Sequence, residues 1–325
     1  MDHTLPLFPR VVASALAGFF LLLAGLFVSP AHGQSVAPPE STVVAYTDAW
    51  DGPRYESGRP KVPAELLERM EQVTLEMAWG TLRSHDYHHQ VPGFGKDWVV
   101  MDAEDPIVGR ALTAQYMPAR PQFQNGIEAD GNEKGYEGPT NTWPIQQLKT
   151  GDVYVADGYG KIKGGTLIGD RLGTDIYANS GNGVIFNGSV RDVSGLKEIE
   201  GWNHYIRGVH PSVIQGMMMS GMNVPIRMGE ATVLPGDVVL ATDRGVVFIP
   251  PQFAREVVRE AEITILTDRF AKRRTEQGVY SSGQMDGQWT EKIRKDFYGW
   301  LREHKSELPV PADRIEEIIS ERLVN

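Results

Sequence analysis

The chain has 325 residues, 41% of them hydrophobic and 23% charged, the balance of a globular protein large enough for one big domain or two ordinary ones. Lysine and arginine number 32 against 42 aspartates and glutamates, a formal charge of −10, and no basic run could track a phosphate backbone, so no nucleic-acid partner is expected. There is no cysteine, which excludes thiol nucleophiles, disulfides, iron–sulfur clusters and cysteine-held zinc; any metal must rest on oxygen or imidazole.

Taken in chain order, Val11 to Val28 carry no charge and are followed by Ala31-His32-Gly33. That layout predicts a cleavable signal peptide over residues 1–33, with Ala31 and Gly33 at the cleavage positions, and hence a periplasmic or secreted protein with no stable membrane association afterwards. Residues 34–62 mix Pro, Ser, Gly and charge without a period and read as an N-terminal arm rather than a packed element. From Pro63 to Ser84, Leu66, Leu67, Met70, Val73, Met77 and Leu82 recur at helical spacing and predict one amphipathic helix. Short β-like runs follow at Trp98–Met101 and Ala111–Tyr116, then a polar, Gly-rich stretch, 120–142, expected to be a surface loop.

The middle alternates as an α/β chain: strand 153–156, a Gly-rich turn, helix 171–180, strand 183–187. After strand 246–249, helical patterns cover 251–277, 289–306 and 312–323, the last with Ile315, Ile318, Ile319 and Leu323 on one face that must dock.

Several motifs invite a chemical reading. Gly158-x-Gly160-x-x-x-Gly164-Gly165 lacks the spacing of a dinucleotide fingerprint and fits a tight backbone near a small anion, with Gly169-Asp170 at a helix N-terminus that attracts carboxylates. His85, His88 and His89 could hold a transition metal, but a wet helix end explains them better. Met217, Met218, Met219 and Met222 read as adaptable core or interface filler, and His204 and His210 as histidines with structural partners.

Arg191-Asp192 stands directly after an apolar strand. A guanidinium grips a carboxylate with two hydrogen bonds, and an aspartate supplies the hard oxygen that Mg²⁺ or Mn²⁺ takes while keeping several waters. A surface ion pair is the competing reading of the same two residues.

Gly169-Asp170, twenty intervening residues, then Arg191-Asp192, Asn223-Val224-Pro225-Ile226, and Leu234-Pro235-Gly236-Asp237 running to Gly245 through Pro250 resemble the RraA-like family, from about Leu66 to Ala261. The family's catalytic members are metal-dependent aldolases of 4-hydroxy-4-methyl-2-oxoglutarate that also decarboxylate oxaloacetate. The resemblance implies an α/β fold, a β/β/α sandwich like the swivelling phosphohistidine domain, over residues 63–262, followed by a C-terminal helical extension, 263–325.

It further implies Asp192 as ligand of Mg²⁺ or Mn²⁺, Arg191 as the substrate-carboxylate clamp, and Asp170 as acid or base through a water. Gly169 and the amides of Arg171 and Leu172 would bind substrate, and Asp268 would come from a neighbouring subunit of a homotrimer or hexamer. The expected function is a divalent-metal-dependent lyase acting on a 2-oxo or 2-hydroxy acid, or a uronate, through an enolate, as aldolase or decarboxylase. Two alternatives stand beside it: a dehydratase of uronate-containing sugars or oligosaccharides, and a non-catalytic binding protein like the family's regulators of ribonuclease E. The chain departs from the aldolases at Gly195, where they carry an acid three residues after the metal-binding aspartate.

Overall fold

The computed structural model describes Met1 and residues 35–92, 98–101 and 106–324. The predicted signal peptide, 1–33, lies outside the described residues apart from Met1. Eleven strands are formed among the described residues: β1 (Val99–Met101), β2 (Ile107–Pro118), β3 (Asp152–Asp157), β4 (Thr166–Ile168), β5 (Val184–Val190), β6 (His204–Val209), β7 (Met217–Met222), β8 (Ile226–Met228), β9 (Ala231–Val233), β10 (Val238–Thr242) and β11 (Gly245–Ile249).

Nine of them make one sheet in the order β1-β6-β5-β3-β2-β10-β11, with β4 added to β5 and β7 added to β2; β8 and β9 form a separate ribbon. The central strands β2, β3, β5 and β6 run parallel, and antiparallel β1, β10 and β11 close the flanks. Every residue of β3 and β5 is buried, as expected for parallel strands covered on both faces. One face packs against the helix Asp170–Ser180 and the tryptophans Trp143 and Trp202. Helices Ala64–Met70, Leu75–Ser84 and Ala254–Glu276 share a second core with β10 and β11. The described residues from 35 onward belong to one compact unit.

Three local expectations change. Residues 34–62 are not a loose arm: they include the helix Glu40–Tyr46, bury Val36, Val43 and Val62, and insert Arg59 against Asp152 of β3. Periodicity cannot reveal such a segment, because it is held by one ion pair and scattered apolar anchors rather than by a face. The predicted helix 63–84 is two, Ala64–Met70 and Leu75–Ser84, the second restarted by Thr74, whose side chain accepts from the Met77 N–H. The predicted loop 120–142 contains the helix Pro121–Glu133, with Pro121 in its first turn and Ile127 buried; its two glycines, 126 and 131, masked the pattern. Gly131 is there because a Cβ would lie 2.2 Å from the Trp143 ring. The methionine run is core filler as expected: it forms β7, and Met217, Met218, Met219 and Met222 are all buried in the core.

The C-terminal helices behave as predicted in their docking: Ile315, Ile318 and Ile319 are buried against Leu266, Phe270 and Leu301 in one cluster. The helix Ala254–Glu276 runs unbroken through residues 262 and 263, so core and extension are joined by a single element.

Two buried titratable groups give the fold a pH signature. Asp237, at 1% exposure, has its carboxyl pushed up to about 7 by burial, opposed only partly by the Leu234 N–H that donates to Oδ2 at 2.8 Å. The native state therefore holds a proton that the unfolded state releases above its ordinary carboxylate value, and this contribution to stability is lost as pH rises from about 4 to about 7. His204 works in the opposite direction. Burial and the Lys197 charge lower it to about 4, so its contribution is lost as pH falls from 6.5 toward 4.

In Asp237→Asn the His204 contribution is unchanged. The stability of this variant relative to the parent is expected to increase steadily from pH 4 to 7 and level off above, measured by urea unfolding at each pH. A difference that does not vary with pH would contradict the buried, protonated carboxyl.

Candidate functional site

The site is a consequence of strand register. β4 and β5 are parallel, with Ile168 opposite Val190, and they are joined through the helix Asp170–Ser180. The residues that follow each strand therefore emerge side by side: Gly169-Asp170 after β4, Arg191-Asp192 after β5. The Arg191 N–H donates to the Ile168 carbonyl at 3.0 Å and fastens the two ends together. This is the carboxyl edge of a parallel sheet beside a helix N-terminus, a place where backbone N–H groups and the helix dipole favour anions.

Two glycines make the cluster possible. A Cβ on Gly169 would stand 2.5 Å from Asp192 Oδ2 and 3.1 Å from Arg191 Nε, so both side chains lie across the bare backbone of the helix entrance. A Cβ on Gly195 would stand 2.5 Å from Asp170 Oδ2. The residue that departs from the aldolase pattern thus leaves the space into which Asp170 points. Asp192 adopts a left-handed backbone, φ 54° and ψ 41°, a conformation that aspartate tolerates better than most side chains and that folds its carboxylate back over Gly169.

The groups are poised differently. Asp170 Oδ1 accepts from the Arg171 N–H at 2.7 Å, leaving Oδ2 without a hydrogen bond among the described residues. The amide of Arg171, expected to cradle a substrate carboxylate with that of Leu172, is thereby occupied by Asp170 itself. Arg191 Nε lies 3.4 Å from Asp192 Oδ2, too long for a strong hydrogen bond, and the two side chains remain 40% and 45% exposed. The guanidinium edge is open to a second carboxylate.

Asp170, Arg191 and Asp192 together carry a formal charge of −1, which a divalent cation would reverse. Among the described residues no three His, Cys, Asp or Glu side chains gather into a metal cage. The donor set fits a hard cation that takes one or two carboxylates and otherwise water, as Mg²⁺ and Mn²⁺ do, and does not fit zinc.

Gly169→Ala tests the arrangement. Its backbone, φ −120°, accepts any residue, and the colliding atom is the end of a side chain that can swing away, so stability should hardly change. Turnover should fall by about 10²-fold, the cost of displacing a reacting group by roughly an ångström. Full activity in this variant would show that Asp192 does not work from this position.

The other sequence candidates sit elsewhere. Asp268 is exposed on the helix Ala254–Glu276, at a groove of about 390 Å³ formed with Met285, Trp289 and Phe297 of its own chain. His85 pairs with Glu256 at 2.9 Å and lies 4.7 Å from the Phe253 ring, while His88 is 3.7 Å from Asp86, the wet helix end expected of them. His204 accepts from Trp202 Nε1 at 3.2 Å, and His210 from the Ser212 N–H at 3.1 Å. Asn187 of the Asn-Gly-Ser sequence is buried in β5, donating to Asp157 at 2.7 Å, which leaves no room for a sugar. Gly195 is the contributor that residue chemistry could not reveal, since its role is to be absent.

Comparison with known proteins agrees with this architecture. Protein DlpA of Legionella pneumophila is 29% identical over 175 residues, 51% of this chain and 25% of that protein. A Hahella chejuensis protein provisionally named as a 4-hydroxy-4-methyl-2-oxoglutarate aldolase is 32% identical over 106 residues, 33% of this chain and 63% of that one; a Shewanella oneidensis protein of the same provisional name is 33% identical over 102 residues, 31% and 61%. The chain thus spans between a quarter and about 63% of the length of these relatives.

Among solved structures, Streptomyces coelicolor RraAS2, described as an unusual member of the RNase ES inhibitor RraA protein family, superposes with a TM-score of 0.56 at 24% identity, covering 68% of this chain and all of that one. An uncharacterized Pseudomonas syringae protein gives 0.55 at 22% identity, covering 70% and 95%; both likenesses speak for the fold. The family profile described as RraA-like, Aldolase/RraA, matches residues 84–248, just over half of the chain, and that stretch contains β4, β5 and the whole cluster around Gly169. By that match, and with the sheet arranged as in the solved relatives, the chain belongs to the RraA-like family.

Proposed function

We propose that this protein is a divalent-metal-dependent lyase acting on a small carboxylate, a 2-oxo or 2-hydroxy acid or a uronate, through an enolate. The observation that carries the reading is the convergence of Arg191 and Asp192 on the bare Gly169 backbone, with Asp170 next in the chain and its Oδ2 over Gly195. The relatives provisionally named as aldolases support a lyase at the level of the family. Asp192, with Asp170 nearby, would hold the cation, which when bound supplies Lewis-acid stabilisation of negative charge developing on the substrate's oxygen.

The chain's own groups do the rest. Arg191 presents its open guanidinium edge to the substrate carboxylate, where two parallel hydrogen bonds fix orientation as well as charge. Asp170 takes up or returns a proton at Oδ2, while the Arg171 N–H holds Oδ1 and with it the carboxylate plane. Gly195 stands where the aldolases carry an acid, and the Asp170 carboxylate takes the space a side chain there would need, which favours a substrate other than 4-hydroxy-4-methyl-2-oxoglutarate. Export through the apolar N-terminus, a trimeric or hexameric assembly and completion of the site by Asp268 of a neighbouring subunit belong to the same proposal.

Mass spectrometry of products, with Mn²⁺ and separately with EDTA, tests it on oxaloacetate, 4-hydroxy-2-oxo acids and uronate oligosaccharides. Metal-dependent pyruvate release is the expected result for an aldolase or decarboxylase. Metal-dependent loss of water from a uronate makes the enzyme a dehydratase with the same site, and no product from any substrate turns the reading toward a binding protein.

A further inference from the structure

The packed N-terminal segment builds a second cavity, remote from the cluster at Gly169. Its volume is about 420 Å³, within the range of small-molecule sites, and its walls come from residues 54–61, the approach to β3, and Asn223. It opens beside the start of β3, whereas Arg191 follows the end of the parallel strand β5; the length of β5 alone, about 20 Å, separates the two levels. One wall, residues 54–61, lies outside the stretch that matches the family.

Its chemistry is specific. Asn223 is 5% exposed, its amide oxygen is fully buried, and its side chain makes no hydrogen bond among the described residues although it lines the cavity. An unpartnered buried amide costs stability, about 1–3 kcal/mol, unless something hydrogen-bonds to it. Around it stands an excess of positive charge. Arg59 shares Asp152 with Arg110, two guanidinium groups on one carboxylate, and its Nε is buried without a partner. Lys61 lies 5.5 Å from the Tyr55 ring centroid, and neither it nor Lys149 has a carboxylate partner among the described residues. Among the described residues Arg54 is met only by carbonyl and hydroxyl oxygens, of Thr47, Trp50 and Gly58. The one acid in the lining, Glu56, is exposed.

The structure assigns to this cavity a binding site for a small hydroxylated carboxylate, its acid group held by Lys61 and Lys149 and its hydroxyls by the Asn223 amide. The lysines supply attraction at the mouth, and the amide discriminates by polar pairing at the floor. The site is independent of the lyase reading, since it uses none of the residues at Gly169.

Isothermal titration of the full chain carrying Arg191→Ala, which removes the carboxylate clamp of the other site, separates the two. D-galacturonate serves as probe and D-galactose as its uncharged counterpart. One saturable galacturonate site per chain is expected, with galactose at least ~10-fold weaker. Adding Lys61→Ala with Lys149→Ala should weaken galacturonate by ~10-fold or more, and so should Asn223→Gly, which keeps the left-handed φ of 51° without the amide. Absence of saturable binding, equal binding of galactose, or binding indifferent to both sets of substitutions would overturn the assignment.

Discussion

Asp192→Asn is expected to lower metal-dependent turnover by about 10³-fold or more with the fold unchanged. Asparagine is the residue most at ease in the left-handed backbone found there, φ 54°, so the turn after β5 and its hydrogen bond from the Leu196 N–H to the residue 192 carbonyl should persist. The substitution removes the negative charge and one hard oxygen, leaving as the cluster's one carboxylate Asp170, whose Oδ1 is already taken by the Arg171 N–H. Kinetics on the substrate found by product analysis, with thermal unfolding as control, measures the effect. Turnover near the parent's in a folded variant would remove Asp192 from the site.

The second large effect concerns stability. Asp152→Ala should destabilise the protein by roughly 3–5 kcal/mol, because it breaks a buried pair and leaves the remaining charges unpaired. Asp152 is fully buried; it receives Arg59 Nη1 at 3.0 Å and Nη2 at 2.6 Å, Arg110 Nε at 3.1 Å, and the Lys149 N–H at 2.9 Å. Without it, two guanidinium groups at 2% and 4% exposure share the interior with no counter-charge. The N-terminal segment meets β2 and β3 through this carboxylate and through the Val62 carbonyl, which accepts from Arg110 Nη1 at 2.8 Å, and Asp152 holds both guanidinium groups in place, so limited proteolysis near residues 47–58 should accelerate in the variant. Urea unfolding within about 1 kcal/mol of the parent, the scale of an exposed pair, would contradict the role given to Asp152.

The fold class and the candidate site residues are both legible in the sequence; their geometry is not. Gly169-Asp170 and Arg191-Asp192 stand out as candidates because each follows an apolar strand and because their spacing matches a family pattern. What that pattern could not give is the reason they meet, which is the parallel register of Ile168 with Val190. The space Gly195 leaves by lacking a side chain shows only in the position of Asp170 Oδ2.

The packing of the N-terminal segment is hidden from the sequence for a different reason. Arg59 and Asp152 are 93 positions apart, and no local period announces a long-range ion pair. The helix Pro121–Glu133 was hidden because Gly126 and Gly131 lower helix propensity, whereas tertiary packing against Trp143 requires a glycine at 131. Strand β7 does not announce itself because Met and Gly replace β-branched residues, and β8 and β9 because they are three residues each.

Manganese binding is the most direct test of the central claim, that the cluster at Gly169 is a metal site built on Asp192. Titration of the full chain with Mn²⁺, followed by electron paramagnetic resonance of the free ion, should show one saturable site per chain that disappears in Asp192→Asn and survives in Lys61→Ala with Lys149→Ala. Equal Mn²⁺ binding by the parent and Asp192→Asn would contradict the account.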